Sequence, residues 1–187
     1  MNLMDALKSR RSIRRYQSRP IPKDLAESLI DAAQTAPSAG NLSARRYVLV
    51  SNEDMRRLLA AAAYGQQHIE EAPLLIAVCA DVKASSVRYG SRGGLYAIQD
   101  ADAATMCLLL AAHDAGLGAC WNGAFDDDMV REALHLEDDV LPVAIVSLGW
   151  PEESPARPER PRRVGEVSWI DSLRGCAALQ RRSSWER

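Results

Sequence analysis

Four short stretches of the chain carry side chains and backbone suited to gripping a flat, phosphorylated ligand. In the run Arg10-Arg11-Ser12-Ile13-Arg14-Arg15, an extended backbone sends Arg10, Ser12 and Arg14 to one side and Arg11 and Arg15 to the other. Two guanidinium groups around a hydroxyl form a set of forked donors matched to a phosphate or to the carbonyl edge of a heterocycle. The turn Pro37-Ser38-Ala39-Gly40-Asn41 offers a hydroxyl, an amide and free backbone N–H groups close together. In Gly116-Leu117-Gly118-Ala119-Cys120-Trp121-Asn122-Gly123-Ala124-Phe125, a helix C-cap and a strand account for the first two glycines. Gly123 is left as the position where backbone can approach a flat ligand closely. Finally, the prolines around Arg160-Pro161-Arg162-Arg163 hold that run extended, with Arg160 and Arg162 facing one way. Taken singly, each stretch has a plainer reading: a solvated charge run, a helix-to-strand connector, a buried strand, a basic tail.

The elements that must position these stretches follow from hydrophobic periodicity. A short helix is expected over 3–9, and an amphipathic helix over 23–36 with Leu25, Leu29, Ile30 and Ala33 on one face. Pro37 and Gly40 stop it, a strand follows at Tyr47–Val50, and Asn52 caps a helix over 53–63. The continuous apolar run Leu74–Ala80 reads as a central strand covered on both faces. Residues 81–94 read as a polar loop, and 95–115 as the longest helix, apolar nearly all round and so buried in the domain or against a second subunit. A strand at Ala119–Trp121, a helix from Asp126 to His135 and a strand at Val143–Leu148 complete the pattern, before a proline-rich tail. Asp100, Asp102 and Asp126–Asp128 read as helix-start charges rather than catalytic pairs.

Composition narrows the function classes. The 187 residues are 47% hydrophobic and 26% charged with a net charge of −2, which suits a globular domain and argues against a nucleic-acid partner. Three lysines (Lys8, Lys23, Lys83) leave arginine as the dominant cation. Cys79, Cys107, Cys120 and Cys176 have no metal-ligand spacing, so no metal site or disulfide framework is expected, and a reducing cytoplasm fits best. The start of the chain does not read as a signal peptide, and the longest apolar stretch, around 103–112, is too short to span a bilayer, so no membrane partner is expected. No GxSxG, no GxGxxG after a strand and no motif around His68, His113 or His135 supports a triad or a nicotinamide-type Rossmann site.

In order along the chain, RRSIRRY at 10–16, APSAGN at 36–41, YAIQDADAATMCLLLAA at 96–112, GLGACWNGAF at 116–125, LPVAIVSLGWPEE at 141–153 and RPRRVGEV at 160–167 resemble the FMN-dependent nitroreductase family. The likeness is to its short, single-domain bacterial and archaeal branch and spans about Leu3 to Trp169, implying one FMN-binding domain over 1–169 and a tail over 170–187. The implied fold is α+β: a three-layer α/β/α sandwich on a mostly antiparallel sheet, in a homodimer that exchanges C-terminal tails and holds its flavins at the subunit interface. By the same resemblance, Arg10, Arg11, Ser12 and Arg14 form the N-terminal flavin-binding run. Arg10 is implied at the phosphate, and Arg14 near the pyrimidine edge, where a cation stabilises the reduced flavin and raises its potential. Pro37, Ser38 and Asn41 come from the second subunit; Trp121, Gly123 and Ala124 lie under the isoalloxazine, with the Gly123 N–H facing N5; Arg160 and Arg162 close on the phosphate.

After Asn41 the chain departs from the family, which continues with glutamine, proline and tryptophan; here stand Ser43, Ala44 and Arg45. The glutamine contact is lost or taken over by Ser43, and the substrate channel is altered. The implied reaction is ping-pong: NADH or NADPH passes hydride to N5, leaves, and a nitroaromatic, quinone or similar acceptor takes the electrons. The alternatives are a flavin-storage protein without nicotinamide turnover, or a relative that dehydrogenates, dehalogenates or fragments flavin.

Overall fold

Leu74–Asp81 is the strand from which the rest of the computed structural model is organised (residues 1–156 are described). This strand, β2, carries no polar side chain before Asp81, and Leu74 to Ala80 are all buried, so both of its faces must be covered. With β1 (Arg45–Val50), β3 (Gly118–Asn122) and β4 (Val140–Gly149) it forms a sheet of order β1-β2-β4-β3, every neighbour antiparallel. Alternation then divides the core. Ile76, Val78, Ala80, Ala144 and Val146 pack with Leu29 and Ala33 of α2 (Lys23–Gln34) and with Ala97, Ala101, Ala104 and Leu108 of α6 (Gly93–Asp114). Leu75 and Ile145 pack on the other face with Leu59, Ile69 and Val130, from α3 (Glu53–Ala62), α4 (Gln67–Glu71) and α7 (Asp127–Leu134). The result is an α+β three-layer sandwich on an antiparallel sheet.

The sequence reading differs from the structure at two places. Residues 81–94, expected to be a polar loop, form α5 (Val82–Tyr89), a 3-10 turn (Gly90–Arg92) and the first turn of α6. The Asp81 side chain accepts the Ala84 N–H and starts α5, a cap that composition alone masks. Gly93 lies so close to Ser86 that a Cβ there would meet backbone, so that glycine packs one helix onto the other. Asp100 is not a helix-start charge: it lies inside α6, is 4% exposed and serves the turn described below. Asp126–Asp128 do start a helix, Asp126 capping Met129. Beyond these, α4 is an element that periodicity missed, its five residues being too short to show a face.

Helix α6 is apolar enough, by length and composition, to pass as a membrane span together with α5. Alanines and glycine on its buried face let it close on the sheet and α2, and its apolarity is that of a core helix.

Candidate functional site

The arginine run is placed by two glycines facing each other across the end of the sheet. Gly118 and Gly149 are register partners in β3 and β4. A Cβ on Gly118 would lie 2.6 Å from Ile13, and one on Gly149 2.7 Å from the Tyr16 ring, so only glycine leaves room for the run. Ile13 N donates to Ala119 O at 3.0 Å, and Ser12 bridges Ala119 in parallel, which adds the run to the free edge of β3. Gln17 N and Glu152 N then bond across to Trp150 O and Arg15 O, and Arg14 N donates to the Glu153 carboxylate at 2.7 Å.

Arg10, Ser12 and Arg14 lie near Cys120: burial pushes the Cys120 thiol up, and Arg14, the Ser12 hydroxyl and Arg10 pull it back. Among the described residues neither Arg10 nor Arg14 makes an ion pair with its guanidinium, leaving both free to meet an anion. Arg11 points the other way. It donates to Lys8 O and Arg10 O at the end of α1 (Leu3–Ser9), and with Ile13, His113 and Gly116–Gly118 it lines a separate cavity.

At the far end of β3, Trp121 is half-buried on the α6 side, while Gly123 and Ala124 are exposed. A Cβ on Gly123 would meet only the Trp121 Nε1, at 3.7 Å, so the fold leaves room for a side chain there. Behind this loop lies a buried polar chain that sequence reasoning missed. Tyr16 OH donates to Ile13 O at 2.5 Å and meets Ser147 Oγ at 2.9 Å; Asn122 Nδ2 donates to Ile145 O at 2.8 Å; Asn122 Oδ1 faces His68 Nε2 at 2.7 Å. Burial pushes the Tyr16 phenol well above its ordinary range, so it serves this chain as a neutral donor.

The turn at 37–43 is the second half of the predicted site. Gly40, Asn41 and Ser43 all have positive φ, a left-handed path that costs energy at the two non-glycine positions. Asp100 holds it, taking the N–H of Ala39 at 2.9 Å and of Ala44 at 3.3 Å. Arg45 is 5% exposed and donates to the carbonyls of Gln34, Ala36, Pro37 and Asp100. Ser38 Oγ accepts the Ser43 N–H at 3.0 Å. Ser43-Ala44-Arg45 is therefore a scaffold, with Arg45 tying down four carbonyls around the turn. The available clue was a carboxylate on the apolar face of α6, which needs a partner when buried.

The two halves do not meet within one chain. The turn is fastened at Asp100, whereas the arginine run lies beside the C-terminal end of α6, where Ser9 Oγ meets His113 Nε2 at 2.7 Å. Thirteen residues separate these points on one helix, about 20 Å. Arg160 and Arg162, the exchanged tail and the division at residue 169 lie outside the described residues. Among the described residues no His/Cys/Asp/Glu group could hold a metal ion.

Fold and site define an α+β protein whose arginine run and open backbone segment lie at one edge of an antiparallel sheet. The family model for the nitroreductase family matches residues 7–70 and 60–150. A Methanothermobacter thermautotrophicus protein bearing an NADH dehydrogenase/NAD(P)H nitroreductase name is 33% identical over 176 residues, covering 90% of this chain and 88% of its own. The FMN reductase (NAD(P)H) of Bacillus subtilis is 26% identical over 172 residues, covering 84% of this chain and 69% of its own. The crystal structure of a nitroreductase family protein from Clostridium difficile 630 superposes with a TM-score of 0.80 at 30% identity, covering 92% of this chain and 100% of that one. The chain belongs to the nitroreductase family.

Proposed function

We propose that this protein is an NAD(P)H-dependent FMN oxidoreductase that works as a homodimer, passing electrons to a nitroaromatic, quinone or similar acceptor. The observation that carries the reading is the bridge of Ser12 to Ala119, which sets Arg10, Ser12 and Arg14 beside the strand that ends at the open Gly123. The donor set suits FMN: guanidinium groups that among the described residues make no ion pair, for its phosphate and ring edge, and an exposed glycine with room above it for a flat ring system. Bound FMN supplies the two-electron chemistry, accepting hydride from NAD(P)H and releasing the electrons to the second substrate.

The chain's own residues then bind and orient. Arg10 and Ser12 hold the phosphate, and Arg14 brings positive charge to the pyrimidine edge, which favours reduction. Trp121, Gly123 and Ala124 lie against the ring, with the Gly123 N–H aimed at N5. Pro37, Ser38, Asn41 and Ser43 complete the site from the second subunit, which accounts for two half-sites held at opposite ends of α6. Arg160 and Arg162 add charge at the phosphate. Arg11 belongs to the run, but its bonds to α1 carbonyls give it a share in shaping the run rather than a direct grip. No side chain need act as acid or base, since positioning provides the rate. The test is FMN titration of the purified protein followed by rapid mixing with NADH and with NADPH. FMN bound and bleached by one of the two is expected; FMN bound but never reduced points to flavin storage instead.

A further inference from the structure

We infer that His68, a residue with no motif around it in the sequence, is a positioning residue that fixes the backbone of Gly123 through Asn122. The inference rests on the reading above, in which that backbone faces the flavin.

Asn122 closes β3 and is 4% exposed. Its Nδ2 donates to Ile145 O at 2.8 Å and to Cys120 O at 3.2 Å. With the amide nitrogen so committed, Oδ1 is the atom turned to His68, and Nε2 at 2.7 Å must carry the proton. His68 itself is held by α4, whose Ile69 is fully buried in the core of that face. The same part of the chain grips the other side of Gly123. Gln66 Nε2 donates to Ala124 O at 3.2 Å, and Asp126 N donates to Ala62 O at 2.9 Å.

Gly123 is exposed, and it has no side chain whose packing could locate it. Its place is set from its flanks: Asn122 by its pairing with Ile145 and by His68, Ala124 by Gln66, Asp126 by the end of α3. Without His68 the amide oxygen keeps only the weak Cys120 thiol at 3.5 Å, and a buried oxygen so under-satisfied would seek another donor and shift the strand end with it. A displacement of the order of 1 Å at a hydride-accepting site costs rate far more than it costs binding.

Three measurements decide this. In flavin-free wild-type protein at mildly alkaline pH, long-range proton–nitrogen spectra should show the His68 ring protonated at Nε2; a ring protonated at Nδ1 alone overturns the inference. In His68→Leu, hydrogen exchange of the flavin-free peptide covering 122–125 should speed up about tenfold, and His68→Gln, which restores an N–H at the same reach, should slow it again. With FMN bound, His68→Leu should lower the hydride-transfer rate constant about tenfold or more while the FMN dissociation constant moves less than about threefold, and His68→Gln should recover most of the loss. Equal exchange and equal transfer rates in wild type and His68→Leu overturn the positioning role. Because the ring and exchange readings use protein without flavin, they stand or fall separately from FMN binding itself.

Discussion

Gly123 and the arginines beside it differ in what the fold asks of them. Gly118 and Gly149 are demanded by packing; Gly123 is not, so its side-chain-free backbone is free to serve a ligand. Gly123→Val is therefore expected to change the unfolding free energy by less than about 0.5 kcal/mol. It should raise the FMN dissociation constant about tenfold or more, as read by fluorescence quenching of added FMN. A variant that binds FMN as tightly as wild type would remove Gly123 from the ring-facing surface. Arg14→Ala should weaken FMN by a similar factor and lower the flavin's midpoint potential, whereas Arg14→Lys keeps the charge and most of the potential. Away from the site, Asp81 pairs with Arg46 at 2.7 Å and caps α5. Burial pushes its carboxyl up, but the Ala84 N–H and the Arg46 guanidinium outweigh this and hold it below its ordinary range. A depressed folded-state pKa stabilises above the unfolded value, near 3.9, and that stability is lost as pH falls through the folded one. Asp81→Asn keeps the cap and removes the charge, so its unfolding midpoint should fall less steeply than wild type's below about pH 4. Parallel curves would assign Asp81 no share of the acid sensitivity.

Among the elements, strand pattern was the most legible and short polar helices the least. β2 declared itself by seven consecutive buried apolar residues, and α6 by its length and alanine content, because burial on both sides leaves no alternation to decode. α5 was hidden: its serines, lysine and arginine read as loop, and the Asp81 cap and the seat of Gly93 against Ser86 are tertiary facts. The same limit governed the site. The arginine run and Gly123 were visible as motifs, since their chemistry resides in residue type and spacing. Asp100, Arg45 and His68 were not, since each matters only through partners eight or more residues away. The turn at 37–43 gives the sharpest element-scale test. Asp100→Ala strands the N–H groups of Ala39 and Ala44, and should cost about 1–3 kcal/mol in denaturant unfolding. It should also loosen FMN on the proposed reading, in which the turn contributes to the flavin site of a second subunit. If Asp100→Ala unfolds at the wild-type denaturant concentration, the carboxylate is not what holds the turn.

For the whole molecule, the separation of the two half-sites along α6 is the dominant fact. One chain holds the arginine run near one end of α6 and the strained turn near the other, so on the proposed reading a full site calls for two copies related by a two-fold axis. Sedimentation should give a dimer binding two FMN, and dilution into the monomer should release flavin and abolish NAD(P)H oxidation together. A monomer that retains flavin and turns over would place the whole site within one chain. The central claim, that these residues converge on FMN to run a nicotinamide-driven reaction, is tested most directly by the visible absorbance spectrum of the purified protein saturated with FMN and then mixed anaerobically with NADH or NADPH. A flavin spectrum that co-purifies or is acquired on adding FMN, bleaches with at least one nicotinamide and returns when a quinone is added is the predicted result. A protein that stays colourless after FMN is added and the excess removed would contradict it.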